Sequence, residues 1–151
     1  MVDRFSLPVK FKKGSRYASL AAEAIRQQTG VAAVCVTYFA HREWYKSKTG
    51  TEFPGTSIPN MLYRRVTKEM RFIQVVNPLS DPSYKFIILN MQTPMIRYIA
   101  VMPIISSGVI TGAIILMDCK RNSLDNHIGE IEKHAHRMSK YLDSIASDGT
   151  V

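Results

Sequence analysis

The chain has 151 residues, of which 46% are hydrophobic and 21% are charged. These proportions fit one soluble globular domain, which is long enough to bury a core without disulfide or metal staples. Lys and Arg outnumber Asp and Glu by 20 to 12, so the net charge is +8 and favours anionic partners. Because the basic residues are spread along the chain and no run interleaves them with aromatics, a basic surface is favoured over a dedicated nucleic-acid site.

The two cysteines, Cys35 and Cys119, lie in apolar segments and form no CxxC pair. The sequence shows no apolar leader with a cleavage site, so it gives no indication of secretion. We therefore expect both thiols to be reduced and buried, in a cytoplasmic protein that has no membrane partner.

The chain is expected to divide into an N-terminal arm, a domain and a short tail. Residues 1–14 have no clear period and are interrupted by Pro8, so they predict an arm that a partner could order. Ser15 is a suitable N-cap for a helix that runs to about Gln28, and Gly30 is placed to end that helix. The domain is expected to span 15–147, and the tail 148–151.

Two β-rich runs follow the first helix, at residues 31–39 and 42–49. The two residues between them predict a hairpin, and the second run alternates like a half-exposed strand. Residues 50–60 are rich in Gly, Pro and Thr, which predicts a loop. Such a loop beside a sheet could line a cavity.

The middle of the chain predicts shorter elements. Apolar residues at helical spacing indicate a helix over 58–69, and residues 71–76 indicate a short strand. Residues 77–84 contain Asn, Asp and Pro, which are typical of turns. Residues 85–91 fit either a strand or one or two turns of helix, and we favour the helix.

The apolar stretch at residues 95–118 predicts a hairpin at the centre of the sheet. Ser106, Ser107 and Gly108 join its two runs, and glycine permits the positive φ of a tight turn. A single membrane helix of about 20 residues is the alternative, but Pro103 and the central turn disfavour it. Both faces of each run are apolar, as in covered strands. The expected faces are Ile99, Val101 and Ile105 against Ala100, Met102 and Ile104, then Val109, Ala113, Ile115 and Met117 against Ile110, Ile114 and Leu116.

The last helix is predicted over residues 124–146, with Ser123 as its N-cap. Its apolar residues recur at alternating spacings of four and three, which makes a seam about three heptads long. This seam could pack on the sheet, on the first helix or on a second copy of the chain. We expect a homodimer through Leu124, Ile128, Ile131, Met138 and Leu142.

The order of elements predicts an α+β domain of about three layers. Three stretches resemble motifs of the GAF domain family: VVNPLSDPSY at residues 75–84, IRYIAVMPI at 96–104 and GVITGAIILMD at 108–118. The resemblance extends over about 15–146, with Asn77 where the family often has Asp. It implies a GAF-like, PAS-related central antiparallel sheet of about five or six strands, with helices on both faces and the N- and C-terminal helices packed together.

The resemblance also implies a pocket for a small molecule, between the sheet and the segments 51–60 and 77–91. A cavity with apolar walls and a few polar groups suits such a ligand, whose identity the sequence does not give; the alternative is that these side chains only fill the core. Arg97 could also pair with Asp81. The candidate ligand-binding residues are Tyr38, Trp44, Phe53, Tyr84, Arg97 and Tyr98.

No motif indicates catalysis, because neither a nucleophile beside a base nor a pair of acids stands out. His127, His134 and His136 lack the spacing of a metal site. GAF-fold methionine sulfoxide reductases use several cysteines, whereas this chain has two, and no cysteine between Cys35 and Cys119 could attach a bilin. The signature of cyclic-nucleotide GAF domains cannot be traced either. We therefore expect no enzyme.

The expected function is that of a non-catalytic sensory or regulatory domain in signal transduction. Ligand binding would tilt or repack the first and last helices and signal to a fused or separate output domain, provided that the ligand prefers one helix arrangement. Three alternatives stay open: a purely structural dimerisation module, a stand-alone enzyme that uses Cys119 or is of the methionine sulfoxide reductase type, and nucleic-acid binding by the basic surface.

Overall fold

The computed structural model of the chain describes residues 6–53, 57–90, 95–120 and 122–147. The first five residues of the expected arm and the expected tail lie outside these ranges. Short 3-10 turns cover Pro78–Ser80 and Asp125–His127. The strands and helices are, in chain order, β1 (Lys12–Lys13), α1 (Arg16–Thr29), β2 (Ala33–Ala40), β3 (Glu43–Gly50), α2 (Ile58–Glu69), β4 (Ile73–Val75), α3 (Pro82–Leu89), β5 (Tyr98–Ser106), β6 (Val109–Asp118) and α4 (Ile128–Ser147).

The six strands form one sheet in the order β1-β3-β2-β6-β5-β4. The β2–β3 and β5–β6 pairs are antiparallel hairpins, and β2 pairs with β6 at the centre. The two-residue β1 runs parallel to β3, so the sheet is mixed rather than purely antiparallel. Apart from that short edge strand, the predicted α+β architecture with a central sheet of about five or six strands is confirmed.

Helices cover both faces of the sheet and create two separate cores. On one face, α1 and α4 pack over side chains such as Val36, Ala100 and Ile114. On the other face, residues of α2 and α3 pack over Val101 and Ile115. Because strand side chains alternate between the faces, the apolar character of both faces of β5 and β6 follows from this three-layer arrangement.

The predicted helix starts and turns agree closely with the structure. The Ser15 side chain accepts a hydrogen bond from the backbone N–H of Ala18, which caps α1, and Gly30 ends the helix at a φ of 73°. Ser107 and Gly108 take φ values of 53° and 76° in the turn of the central hairpin. The ambiguous 85–91 segment contributes to α3, which Asp81 caps by accepting from the N–H of Ser83.

The N-terminal helix packs against the C-terminal helix, as predicted. The rings of Tyr17 in α1 and Tyr141 in α4 stack at 4.7 Å with an interplanar angle of 5°. Within the described part of the chain, no helix is both long and apolar enough to cross a membrane. The apolar stretch at residues 95–118 contains the β5–β6 hairpin rather than the alternative membrane helix.

Three local predictions were wrong. Ser123 is not an N-cap: a 3-10 turn precedes α4, which begins at Ile128. Ile110 joins the core on the α2 and α3 side, opposite to its expected face, because the register of the hairpin shifts after Ile104. Among the described residues, the Arg97–Asp81 ion pair does not form; the Arg97 side chain is exposed and Asp81 caps α3.

The seam of α4 packs on the sheet within the chain. Ile131, Met138 and Leu142 of α4, together with Leu124 just before the 3-10 turn, are buried in the core shared with α1, and Ile128 packs against that core. A homodimer that used these five side chains would first require α4 to leave the sheet. The physical reason is that burying the stripe inside the chain removes the same apolar surface from water without the entropic cost of association.

The described part of the arm lies along the edge of the sheet. Lys12 and Lys13 pair with Tyr45 and Lys46 of β3, and the N–H of Gly14 donates to the carbonyl of Lys46 at 2.9 Å. A Cβ at Gly14 would lie 2.0 Å from Oγ of Ser47, so only glycine permits this approach without rearrangement. Residues 12–14 are thereby held against β3.

Candidate functional site

The six residues predicted to bind a ligand lie in three different environments. Tyr38 and Tyr98 belong to the core between the sheet and α1 and α4. Trp44, Phe53 and Tyr84 belong to the opposite core, beneath α2 and α3. The side chain of Arg97 is exposed. No single cavity can therefore contact all six, because the sheet separates the two tyrosines from the other aromatic residues.

Tyr38 and Tyr98 have hydrogen-bond partners in the fold. The hydroxyl of Tyr38 accepts from the N–H of Ser15 at 2.8 Å, where α1 begins. The hydroxyl of Tyr98 donates to Gln74 at 2.8 Å, and the same Gln74 oxygen accepts from the N–H of Leu124. Burial, reinforced by the charges of Asp125 and Asp118, raises the pKa of Tyr98 above its usual range. Tyr38 is thus bonded to the start of α1, and Tyr98 is linked through Gln74 to Leu124, which precedes α4.

A cavity of about 260 Å³ lies on the α2 side of the sheet, at the β2–β3 end. Its floor is formed by β2, β3 and β6, and the residues after β3 and part of the arm form its walls. Phe53 lines it, whereas Tyr84 does not line it and is buried in the core below α3. The apolar residues that line the cavity are Leu7, Phe11, Ala33, Val34, Phe53, Pro59, Ile115 and Met117.

Strand alternation places two lysines at this cavity. Lys46 and Lys48 of β3 lie opposite Thr37 and Cys35 of β2, and all four line the cavity. The Nζ atom of Lys46 lies 4.5 Å from the centroid of the Phe11 ring. This distance is within the range of a cation–π interaction, which holds the ammonium at the rim of the cavity.

Lys48 is paired with an acid from the neighbouring loop. Its Nζ atom lies 2.8 Å from Oε2 of Glu52, and both side chains are more than half exposed. Of the described residues that line the cavity, Lys46, Lys48 and Glu52 carry charge, so the lining has an excess of one positive charge. The remaining polar side chains that face the cavity are neutral: the Thr37 and Thr51 hydroxyls and the Cys35 thiol. Thr49 also lines the cavity, but its hydroxyl donates to Glu23 of α1 on the other side of the sheet.

The cavity thiol is poorly suited to act as a nucleophile. Burial raises the pKa of Cys35 to about 12, and the opposing effect of Lys46 and Lys48 is smaller. The thiol is therefore protonated at neutral pH, and the thiolate is the reactive form. Cys35 pairs with Ile115 of β6, and Cys119 lies four residues further along the chain. At about 3.3 Å per residue the two cysteines are about 13 Å apart. This separation is too large for a disulfide, and both thiols are free.

A second concavity, of about 270 Å³, lies where the β2–β3 and β5–β6 turns meet the end of α4. His41 and Arg42 line it and take φ values of 51° and 64°, which non-glycine residues adopt at a cost. Within residues 6–53, 57–90, 95–120 and 122–147, no three His, Cys, Asp or Glu side chains are grouped so that they could hold a metal ion.

Sequence reasoning missed most of the cavity residues, although one signal was present. The run EWYKSKTG of β3 alternates, so the face that contains Trp44 also contains Lys46 and Lys48. The contributions of Leu7 and Phe11 could not be found in this way, because the arm has no period that would show which residue faces the sheet. They depend on the pairing of β1 with β3.

Comparison with known proteins bears on the fold alone. No protein-family model matches the sequence, and no curated protein matches it in sequence. Solved structures do match at the level of fold. The GAF domain of an Acinetobacter phosphoenolpyruvate-protein phosphotransferase matches with a TM-score of 0.66 and 6% identity, over 86% of this chain and 82% of that chain.

Two further solved structures match the fold in the same way. The GAF domain of the cyanobacteriochrome TePixJ matches with a TM-score of 0.64 and 15% identity, over 96% of both chains. A type II free methionine-R-sulfoxide reductase from Thermoplasma acidophilum matches with a TM-score of 0.63 and 12% identity, over 83% of this chain and 89% of that chain. The described elements and these matches together identify the fold of the chain as that of a GAF domain.

Proposed function

We propose that the chain is a non-catalytic sensory or regulatory domain that binds a small ligand in the cavity over β2 and β3. The observation that carries this proposal is the cavity of about 260 Å³, which combines apolar walls with a few polar groups on one face of a rigid sheet. Binding sites for small molecules have this character. The raised pKa of the Cys35 thiol favours binding over catalysis at this site.

The strand that borders the cavity also contacts α1. Lys46 and Lys48 face the cavity, while Ser47 and Thr49 face the opposite side. The Ser19 hydroxyl of α1 donates to Oγ of Ser47 at 3.2 Å, and Thr49 donates to the Glu23 carboxylate at 2.5 Å. A ligand that shifts β3 would therefore shift α1.

The link continues from α1 to α4 through Tyr17 stacked on Tyr141. We infer that ligand binding changes the packing of these two helices and that an output domain or partner detects the change. This coupling requires the ligand to bind one packing of the helices more tightly than the other. Unchanged helix packing with the native ligand bound would contradict the mechanism.

Native mass spectrometry, first gentle and then denaturing, tests ligand binding. We expect a mass above that of the chain that disappears on denaturation, and we expect Cys35→Leu to abolish it by occupying part of the cavity. Cys35→Met, which is more flexible, serves as a second filling variant, and thermal melting shows that both variants fold. An adduct that survives in both folded variants would place the ligand elsewhere and contradict the proposal.

A structural dimerisation module is the second candidate function. The observation that favours it is the outward face of α1, where Leu20 is 59% exposed and Tyr17 is 41% exposed. Exposed apolar side chains on a helix beside α4 could pack against the same surface of a second copy. The two functions are compatible, because a dimer through α1 would leave the cavity open on the other side of the sheet.

A further inference from the structure

We propose that the cavity over β2 and β3 selects a small organic anion, whose charged group is bound by Lys46 and Lys48. This inference rests on the proposed function, because it names the class of ligand for the same cavity. The two lysines stand two residues apart on one strand, so both extend toward the same face, about 7 Å apart along β3. An anionic group between them could contact both ammonium groups.

The charges around the cavity support an anion rather than a cation. Lys46 and Lys48 are opposed only by Glu52 among the described lining residues. Lys46 is held beside the Phe11 ring, so its ammonium is positioned before any ligand enters. A neutral ligand would gain less than an anion from this arrangement, and a cation would be repelled by the excess positive charge.

Glu52 acts as an internal substitute for the ligand. Its carboxylate binds Lys48 at 2.8 Å, although the two side chains are 66% and 53% exposed. A pair as exposed as this contributes little to stability because water screens it. An incoming carboxylate or phosphate can therefore displace Glu52 at small cost, and the loop at Thr51–Phe53 would respond.

The size and walls of the cavity define the rest of the ligand. A volume of about 260 Å³ is slightly below the range of about 300–1,000 Å³ that is typical of drug-sized ligands. Leu7, Phe11 and Phe53 line it with aliphatic and aromatic surface. The structure thus points to a metabolite-sized anion with one carboxylate or phosphate group and a short apolar body.

Titration of the isotopically labelled protein with phenylacetate and with its neutral isostere phenylacetamide tests this inference. The readout is the NMR shift of the backbone amides of Cys35, Lys46 and Lys48. We expect phenylacetate to bind about tenfold more tightly, because a charge-assisted hydrogen bond contributes about one such factor. Phenyl phosphate, added separately, shows whether a phosphate replaces the carboxylate.

Two charge changes are expected to act in opposite directions. The double variant Lys46→Met, Lys48→Met should lose the preference for phenylacetate and retain phenylacetamide. Glu52→Gln should strengthen the binding of phenylacetate several-fold, because it removes the competing carboxylate. Two exposed residues of α4, far from the cavity, provide controls. Lys133→Met removes one positive charge and Glu132→Gln removes one negative charge, and both should leave the affinities for phenylacetate and phenylacetamide unchanged.

The outcomes separate this inference from the proposed function. Equal affinities for phenylacetate and phenylacetamide, with shifts at the cavity, would overturn the anion inference and leave the ligand-binding function standing. The anion inference alone would also be overturned if neither probe shifts these amides but native mass spectrometry detects a bound ligand that Cys35→Leu removes. Absence of both probe binding and any such ligand would overturn both proposals.

Discussion

The Nε2 atom of His134 in α4 lies 3.1 Å from the Oε1 atom of Gln28 in α1. This contact joins the two helices that would transmit a signal. Burial lowers the pKa of His134, Arg137 lowers it further, and Glu130 opposes them. The folded chain therefore favours the neutral imidazole, so the stability of the fold depends on pH.

Because the pKa of His134 is lower in the folded chain, the unfolded chain binds the proton first as pH falls. The free energy of unfolding is therefore highest above the unfolded pKa of about 6.5, where His134 is neutral in both states. It falls as the pH decreases below 6.5 toward the lower pKa of the folded chain. We expect His134→Gln to flatten this part of a melting-temperature profile. His136→Gln, at an exposed position two residues away, is the control; an unchanged profile in His134→Gln would contradict the assignment.

Gly112 is required by the close approach of β2 to β6. A Cβ at this position would lie 2.2 Å from the carbonyl oxygen of Thr37 and 2.9 Å from Cα of Tyr38. We expect Gly112→Ala to lower the free energy of unfolding by about 1–3 kcal/mol, since two central strands must separate. Urea denaturation measures this change.

The matched control for Gly112→Ala is Gly129→Ala in α4, where an added Cβ meets nothing within 4 Å. Alanine is a better helix former than glycine, so this variant should be stabilised by up to about 1 kcal/mol. Equal changes in the free energy of unfolding at the two positions would mean that the contact between β2 and β6 does not require glycine at position 112.

The outer face of α1 predicts the site of any dimer contact. If the chain dimerises there, Leu20→Glu should produce monomers, because a charge would be buried at the contact. Leu89→Glu in α3 is the control, because Leu89 is 56% exposed and Leu20 is 59% exposed. It removes a similar amount of exposed apolar surface away from α1 and should leave the dimer intact. Light scattering measures the mass. A monomeric wild type, or a dimer that resists Leu20→Glu, would exclude this surface.

The reactivity of Cys35 separates the binding proposal from a reductase. With its pKa raised to about 12, the thiol should react with a disulfide reagent at pH 8 far more slowly than glutathione does. Cys119→Ser isolates Cys35 for this measurement, and Cys35→Ser isolates Cys119. Modification of Cys35 at the rate of a free thiol, together with reduction of free methionine-R-sulfoxide that Cys35→Ser abolishes, would favour the enzyme.

The sequence by itself determined most of the local structure. Ser15 and Gly30 mark the ends of the first helix, and the apolar pattern over Ile58–Glu69 matches α2 residue for residue. The turn at Ser107 and Gly108 divides an apolar stretch into the two central strands. These features depend on capping, periodicity and backbone preference, which are properties of neighbouring residues, and so they can be read without the rest of the chain.

Only the tertiary structure decided which side chains lie in the same core or the same cavity. Tyr38 and Trp44 are both aromatic residues of one hairpin, yet they lie on opposite faces of the sheet. The seam of α4 could have joined two chains, and it packs on the sheet because that surface is available within one chain. The cavity depends on the parallel pairing of β1 with β3, which brings Phe11 beside Lys46 from 35 residues away along the sequence. Such long-range contacts have no local pattern, because they depend on the packing of the whole domain.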